Sequence, residues 1–422
     1  MKIARIQPFL LSFPFADPIR LPFYGGERTI IKRDAMLIRV DTTAGIRGYA
    51  PGAGSERAYN AIRDVIAPFL EGHAVGDPDA LRIKFENGPG RADRELLAAY
   101  GSVDIALWDI VAKMHGVPLS EVIGGRVRDR IGVYGSAGMY QTPERYAEEA
   151  AGIVARGFRA YKMRPGLGPD EDVRAAKQVR DAVGLGTDLM IDAHTWWRMG
   201  NRSYSPEIVA RVAENMLDAD PLWLEEPLPP DDHAGYAALK ERDIVPLAAG
   251  EHEPDEEGFL DLIANEAVDY LQMDVCCQGG LALARRLFLA ISRQNLKFAF
   301  HSWGTELEVL AAAHLGVCWP ENVVEWLEFP CYSDGNRAGM YPFPPAREIL
   351  KDPLIVDQGQ LAVPREPGLG IEVNEAVIEK YPWIPGPWSY FRIDSPRRMF
   401  AVVGDHSVPS LEIKEREGDT VE

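Results

Sequence analysis

Cysteine is scarce. The 422-residue chain carries four, Cys276, Cys277, Cys318 and Cys331, and none forms a CxxC pair. A disulfide framework and a zinc ribbon are thereby excluded, because neither spacing exists. The thiols are expected to be reduced and mostly buried, as in a cytoplasmic protein. The opening residues, MKIARIQPFLLSFPF, lack the apolar run and cleavage site of a secretory leader. No run approaches the roughly 18 apolar residues that mark a membrane span. Basic residues are outnumbered, 45 Lys and Arg against 64 Asp and Glu, for a formal net charge of −19. Such a balance argues against binding nucleic acid or an anionic membrane surface. It would also repel an anionic small molecule unless cations are gathered locally. A Gly-rich phosphate fingerprint is missing too, which argues against a doubly wound nucleotide-binding sheet.

What is present suits a large barrel with a further domain. Residues 2–15 read as a strand and 34–50 as a hairpin turning at Thr42 to Gly45. Helical patterns follow near 55–70, 77–87 and 92–115, the last closed by Gly116 and Pro118. From about residue 130 short apolar runs alternate with amphipathic helical stretches. The runs are 131–137, 158–163, 188–192, 222–226, 245–251, 268–274, 296–301 and 322–328. Eight strands spaced by a helix's worth of chain suggest a parallel (β/α)8-type barrel. The chain divides into an N-terminal α+β domain (1–128), the barrel (129–330) and a C-terminal segment (331–422) that returns to the first domain. The charged tail EIKEREGDTVE is expected to fray or to make subunit contacts.

Almost every run from the second onward ends in an ionisable residue: Lys162 and Arg164, Asp192 and His194, Glu225, Glu251, Asp274, His301 and Glu328. In a parallel barrel these ends meet at one face, where active sites are built. One acid there reads first as a helix cap. Three in successive strands (Asp192, Glu225, Glu251) repel one another unless a cation holds them, and oxygen ligands of this kind suit Mg²⁺. Asp274 beside His301 would fix the imidazole tautomer and leave the other nitrogen as a base. Lys162 and Arg164, two apart on one strand, point the same way and could hold a substrate carboxylate.

The ordered set Lys-x-Arg, Asp-x-His, Glu-Glu-Pro, Gly-Glu, Gln-x-Asp, His, Glu resembles the mandelate racemase group of the enolase superfamily. SVDIALWDIVAKMHGVPLSEVIGG (102–125) is similar to its helix leading into the barrel, and PGLGIEV near residue 370 to its C-terminal segment. The resemblance implies a modified (β/α)7β TIM-type barrel under an α+β capping domain formed by the N-terminal part and the C-terminal segment. It implies one Mg²⁺ per active site on Asp192, Glu225 and Glu251, an Asp274–His301 dyad, and Glu328 bonding the substrate carboxylate. It also implies a homo-oligomer acting on a small carboxylate substrate.

Arg164 stands where racemases of this group carry a second basic Lys, and Arg is a poor base near neutral pH. His194 stands where similar acid-sugar dehydratases carry the acid for a departing C3 hydroxyl, although a residue merely orienting a metal ligand is the plainer reading. Together they favour dehydration of a sugar acid to a 2-keto-3-deoxy acid. A racemase or epimerase using Lys162 and His301 is the alternative, and a non-catalytic barrel the third. Residues 16–30 are expected to form a lid hinged at Gly25 and Gly26, with Tyr24 or Arg28 touching substrate. Trp196, Trp197 and Arg198 are further candidates for polyol binding.

Overall fold

The computed structural model describes residues 1–294, 296–333, 339–403 and 411–412. Residues 413–422 of the charged tail lie outside this range. Two sheets organise the chain. The first is antiparallel: β1 (Ile3–Phe23) pairs with β2 (Gly26–Thr42), and β2 with β3 (Arg47–Gly52). A C-terminal hairpin, Ser389–Asp394 and Arg397–Val402, extends the same sheet by pairing with the start of β2.

The second sheet closes on itself. Eight strands, β4 (Arg130–Met139), β5 (Ala160–Arg164), β6 (Asp188–Asp192), β7 (Pro221–Glu225), β8 (Leu247–Ala249), β9 (Tyr270–Met273), β10 (Lys297–Phe300) and β11 (Val324–Pro330), pair in parallel, and β11 returns to β4. Among the described residues, seven helices of eight or more residues lie between them, from Pro143–Ala155 to Glu306–Gly316. The barrel is therefore (β/α)7β. After β11, where an eighth long helix would follow, a small antiparallel hairpin at Val356–Ala362 lies along β4. Several of the helices start as their sequences require. Pro143, Pro169 and Pro206 occupy the first turn, where no N–H is needed, and Ser205 and Asp255 accept bonds from backbone N–H groups three residues on.

The helix Arg94–His115 joins the two parts. Asp93 caps its start and Gly116, at φ 68°, ends it. At Gly101 it meets the helix Gly280–Ile291, and a Cβ there would lie 2.3 Å from the Gly280 nitrogen. Backbone faces backbone, so no side chain can yield. Gly101→Ala is expected to cost about 1–3 kcal/mol in urea unfolding, despite its gain in helix propensity. Beyond the barrel, Gly368 and Leu369 bond to Val117, Leu119 and Asp109 at the far end of that helix.

The expected lid differs. Instead of a loop on a hinge, residues 16–30 are the end of the β1–β2 hairpin, paired from Ile19↔Ile30 to Phe23↔Gly26. Gly25 and Gly26 serve close approach: a Cβ would meet the Met199 carbonyl oxygen at 2.6 Å and the Arg392 oxygen at 1.8 Å. All four cysteines are buried, and none of them forms a disulfide. Among the described residues no helix is long and apolar enough to cross a membrane.

Candidate active site

The barrel interior is layered. Tyr134, Ala160, Met190, Trp223, Ala248, Tyr270, Ala299 and Trp326, one from each strand, pack into an apolar plug. Side chains two residues further along point to the same side. Those positions hold Ser136, Lys162, Asp192, Glu225, Gly250, Gln272, His301 and Glu328. A polar layer therefore sits directly on the apolar one, at the C-terminal mouth, and its side chains are buried.

The charged groups interlock. Lys162 Nζ lies 2.7 Å from Glu225 Oε1, 3.0 Å from Glu328 Oε1 and 3.5 Å from Asp192 Oδ2. Arg164 reaches Asp192 Oδ2 and Glu328 Oε1, both at 2.9 Å, and its guanidinium lies 3.7 Å from the Trp303 ring centre. His301 sets Nδ1 against Asp274 Oδ2 at 2.9 Å and Nε2 against Glu251 Oε2 at 3.1 Å. His194 Nδ1 lies 2.6 Å from Asp192 Oδ1, and its Nε2 bonds to no described residue.

Burial alone would depress Lys162 and His301. The carboxylates outweigh it: Glu225 and Glu328 hold Lys162 well above its usual range, and Glu251, Glu328 and Asp274 do the same for His301. Burial would raise Glu328, but Lys162, His301 and Arg164 hold it down at about 2. As an ionised acid it accepts bonds only. In this arrangement it orients Lys162 and Arg164, and bonding a substrate carboxylate would require it to take up a proton.

Asp192, Glu225 and Glu251 each bring an oxygen within 4.8 Å of the others. Burial, with Asp192, Glu251 and Glu328 adding to it, pushes Glu225 up to about 8 despite Lys162. Such a trio is strained by its own charge, and a hard divalent cation is the group its oxygen donors fit. A second trio, Glu226, Glu251 and His252, is also close enough to hold an ion. In it His252 is already engaged on both nitrogens: Nε2 accepts from Arg198 at 2.7 Å, so Nδ1 carries the proton that it gives Glu226. The first trio is the better fit.

The remaining expected residues separate. Arg28 is buried near the end of β4, with Nη1 3.4 Å from Met139 Sδ. Arg198 lies over the Trp197 ring, beside His252. Trp196 is wholly buried against Tyr204, because its loop folds back through Trp196 N to Ala193 O; it is a core residue, closed to a ligand. Tyr24 is 39% exposed and packs on Arg202 and Gly168. Gln272 and Glu226 stand in the motifs Gln-x-Asp and Glu-Glu-Pro without an expected role, and no role was expected for Ser136, Trp303 or His252. The two-residue register from the plug would have found Gln272 and Ser136; nothing in the sequence marks Trp303.

Comparison with known proteins agrees with this geometry. Residues 12–124 match the family model "Mandelate racemase / muconate lactonizing enzyme, N-terminal domain", and residues 145–377 match "Enolase C-terminal domain-like". The chain is 27% identical over 387 residues to a D-galactarolactone cycloisomerase of Agrobacterium fabrum, covering 90% of this chain and 99% of that protein. It is 30% identical over 369 residues to a D-gluconate dehydratase of Thermoproteus tenax, covering 82% and 69% respectively. A solved enolase-superfamily member from Polaromonas sp. JS666 superposes with a TM-score of 0.79 at 30% identity, covering 92% of this chain and 99% of that one. With both domains matched in order over a closed (β/α)7β barrel, the chain belongs to the mandelate racemase / muconate lactonizing enzyme group of the enolase superfamily, a family of enzymes.

Proposed function

We propose that the protein is a Mg²⁺-dependent hydro-lyase that removes water from a sugar acid. The observation that supports this best is the pair of imidazoles at one mouth: His301 backed by Asp274, and His194 bonded to Asp192, both within 4 Å of Glu251. A Mg²⁺ ion on Asp192, Glu225 and Glu251 would stabilise the negative charge that builds on the substrate carboxylate when the neighbouring carbon loses its proton. Lys162 and Arg164 hold the carboxylate oxygens where that charge collects. Once the proton that Nε2 holds against Glu251 has left, His301 takes the C2 proton at that nitrogen. The C2–H electron pair then expels the C3 hydroxyl, which leaves as water with a proton from His194. The enol that remains ketonises to a 2-keto-3-deoxy acid.

Dehydratase and cycloisomerase names both occur among the relatives, and both reactions can start from the same proton abstraction. A racemase or epimerase using Lys162 and His301 would exchange the C2 proton and keep the C3 hydroxyl. Turnover of an acid-sugar library with Mg²⁺, read as semicarbazones of 2-keto acids, tests the dehydratase reading. No product, together with deuterium uptake at C2 and retention of the C3 hydroxyl, would turn it to the alternative. His194→Asn is expected to lower dehydration by about 10²–10⁴-fold while C2 exchange continues. Equal loss of both would contradict the division of roles.

A further inference from the structure

We propose that Arg28 binds a second carboxylate at the far end of the substrate, so that the acid sugar taken here is a dicarboxylic one; this rests on the sugar-acid reading above. Arg28 is placed for it. Its Nη1 lies 3.4 Å from the sulfur of Met139, the last residue of β4. Met139 pairs across the sheet with Arg164, whose head reaches Asp192 and Glu328. The guanidinium is thus one strand from the group proposed to hold the reacting carboxylate.

Arg28 is also held still. Its guanidinium lies 4.6 Å from the Trp388 ring centre and 4.7 Å from that of Phe391, and Ser389 Oγ is 3.5 Å from Nε. The aromatic faces fix the plane of the fork. Among the described residues, two of its five N–H donors have partners, Ser389 and Met139, and three have none. Among the described residues no carboxylate comes within 4 Å of it. Burial works against its charge, and Arg33 and Arg198 add to that, with Tyr140 and Tyr341 opposing. Buried cations are ordinarily paired. Arg164 pairs with Asp192 and Glu328, and Arg180 donates to four backbone carbonyls. Arg28 has an aromatic clamp and, among the described residues, no carboxylate partner, which suits a planar, bidentate anion. The clamp comes from residues beyond 377, where the match to the family ends.

The test compares an aldaric acid with the aldonic acid of the same configuration, with Mg²⁺ present. Wild type is expected to favour the diacid in kcat/KM, and Arg28→Met to lower the diacid-to-monoacid ratio by about 100-fold. Arg28→Lys should restore part of it. A wild type that prefers the monoacid, or a ratio unmoved by Arg28→Met, overturns the assignment. If Arg28→Met does not fold, Phe391→Leu, which frees the guanidinium, should lower the same ratio, and an unchanged ratio overturns it equally. Binding of both acids, read by thermal shift with Mg²⁺, needs no turnover. A diacid preference there that Arg28→Lys weakens supports Arg28 even if neither acid is dehydrated, in which case the hydro-lyase reading alone fails. Equal binding of the two acids overturns Arg28.

Discussion

His301→Asn is expected to abolish C2-proton exchange and dehydration together, by about 10³-fold or more. His301 is positioned from below. Asp274 Oδ2 bonds its Nδ1, while Asp274 Oδ1 accepts from the Cys276 and Cys277 nitrogens at 2.7 and 3.1 Å. The Asp274 backbone nitrogen donates to Gln278 Oε1, whose amide group donates in turn to the Gly250 and Glu253 carbonyls. Neither the carboxylate nor the ring is free to turn, so Nε2 is presented toward the acids in one orientation. Asn is smaller than His and polar, so the layer should stay folded. The measurement is loss of the C2 proton signal by NMR in D₂O, scored against product formation. Exchange at the wild-type rate in His301→Asn would remove the imidazole from the reaction. Asp274→Asn should act in the same direction, since an amide at that position changes which tautomer is favoured.

Removal of the divalent cation should have an effect of similar size. Three acids at the ends of β6, β7 and β8 are buried within reach of one another, and Lys162 and Arg164 are shared with Glu328. Chelation is expected to bring turnover down by about 10³-fold, with recovery on adding Mg²⁺. The same trio should make stability depend on the ion. At a hundred times its dissociation constant, an ion bound only by the folded state contributes about 2.7 kcal/mol. That is a rise of a few degrees in the unfolding midpoint for a chain of this size. Glu225→Gln should flatten that rise and remove activity. A chelated protein that melts at one temperature with or without Mg²⁺, and still turns over, would dismiss the site. If the rise survives Glu225→Gln and is lost in Glu226→Gln, the ion sits in the second trio.

Much of this was legible before any coordinates. Lys162, Asp192, Glu225, Glu251, Asp274, His301 and Glu328 stand at the ends of short apolar runs, and in a parallel barrel every such end arrives at one face whatever lies between. A one-dimensional pattern therefore predicts a three-dimensional cluster. The pattern weakens one step away from the strands. Trp196 sits four residues past Asp192, and the neighbouring candidate Arg198 two beyond that. Only the turn back to Ala193 and Tyr204 buries the first and leaves the second beside His252. Gln272, two residues before Asp274, is part of the Gln-x-Asp motif but has no place in the site until the plug at Tyr270 defines the layer it belongs to.

Taken alone, the order of residues determined the eight-strand alternation, the acid trio, the dyad and the cations beside them, because each depends on local periodicity and on strand direction. Tertiary structure brought a second trio, Glu226, Glu251 and His252, within reach of an ion, and engaged both nitrogens of its His252. It also decided that residues 16–30 form a paired strand end, and that Arg28 meets Ser389 across 361 positions of chain. Contacts of that length leave no repeat or spacing to read. They exist only once the last strands have found the edge of the first sheet, and hydrogen bonding along that edge is what selects them.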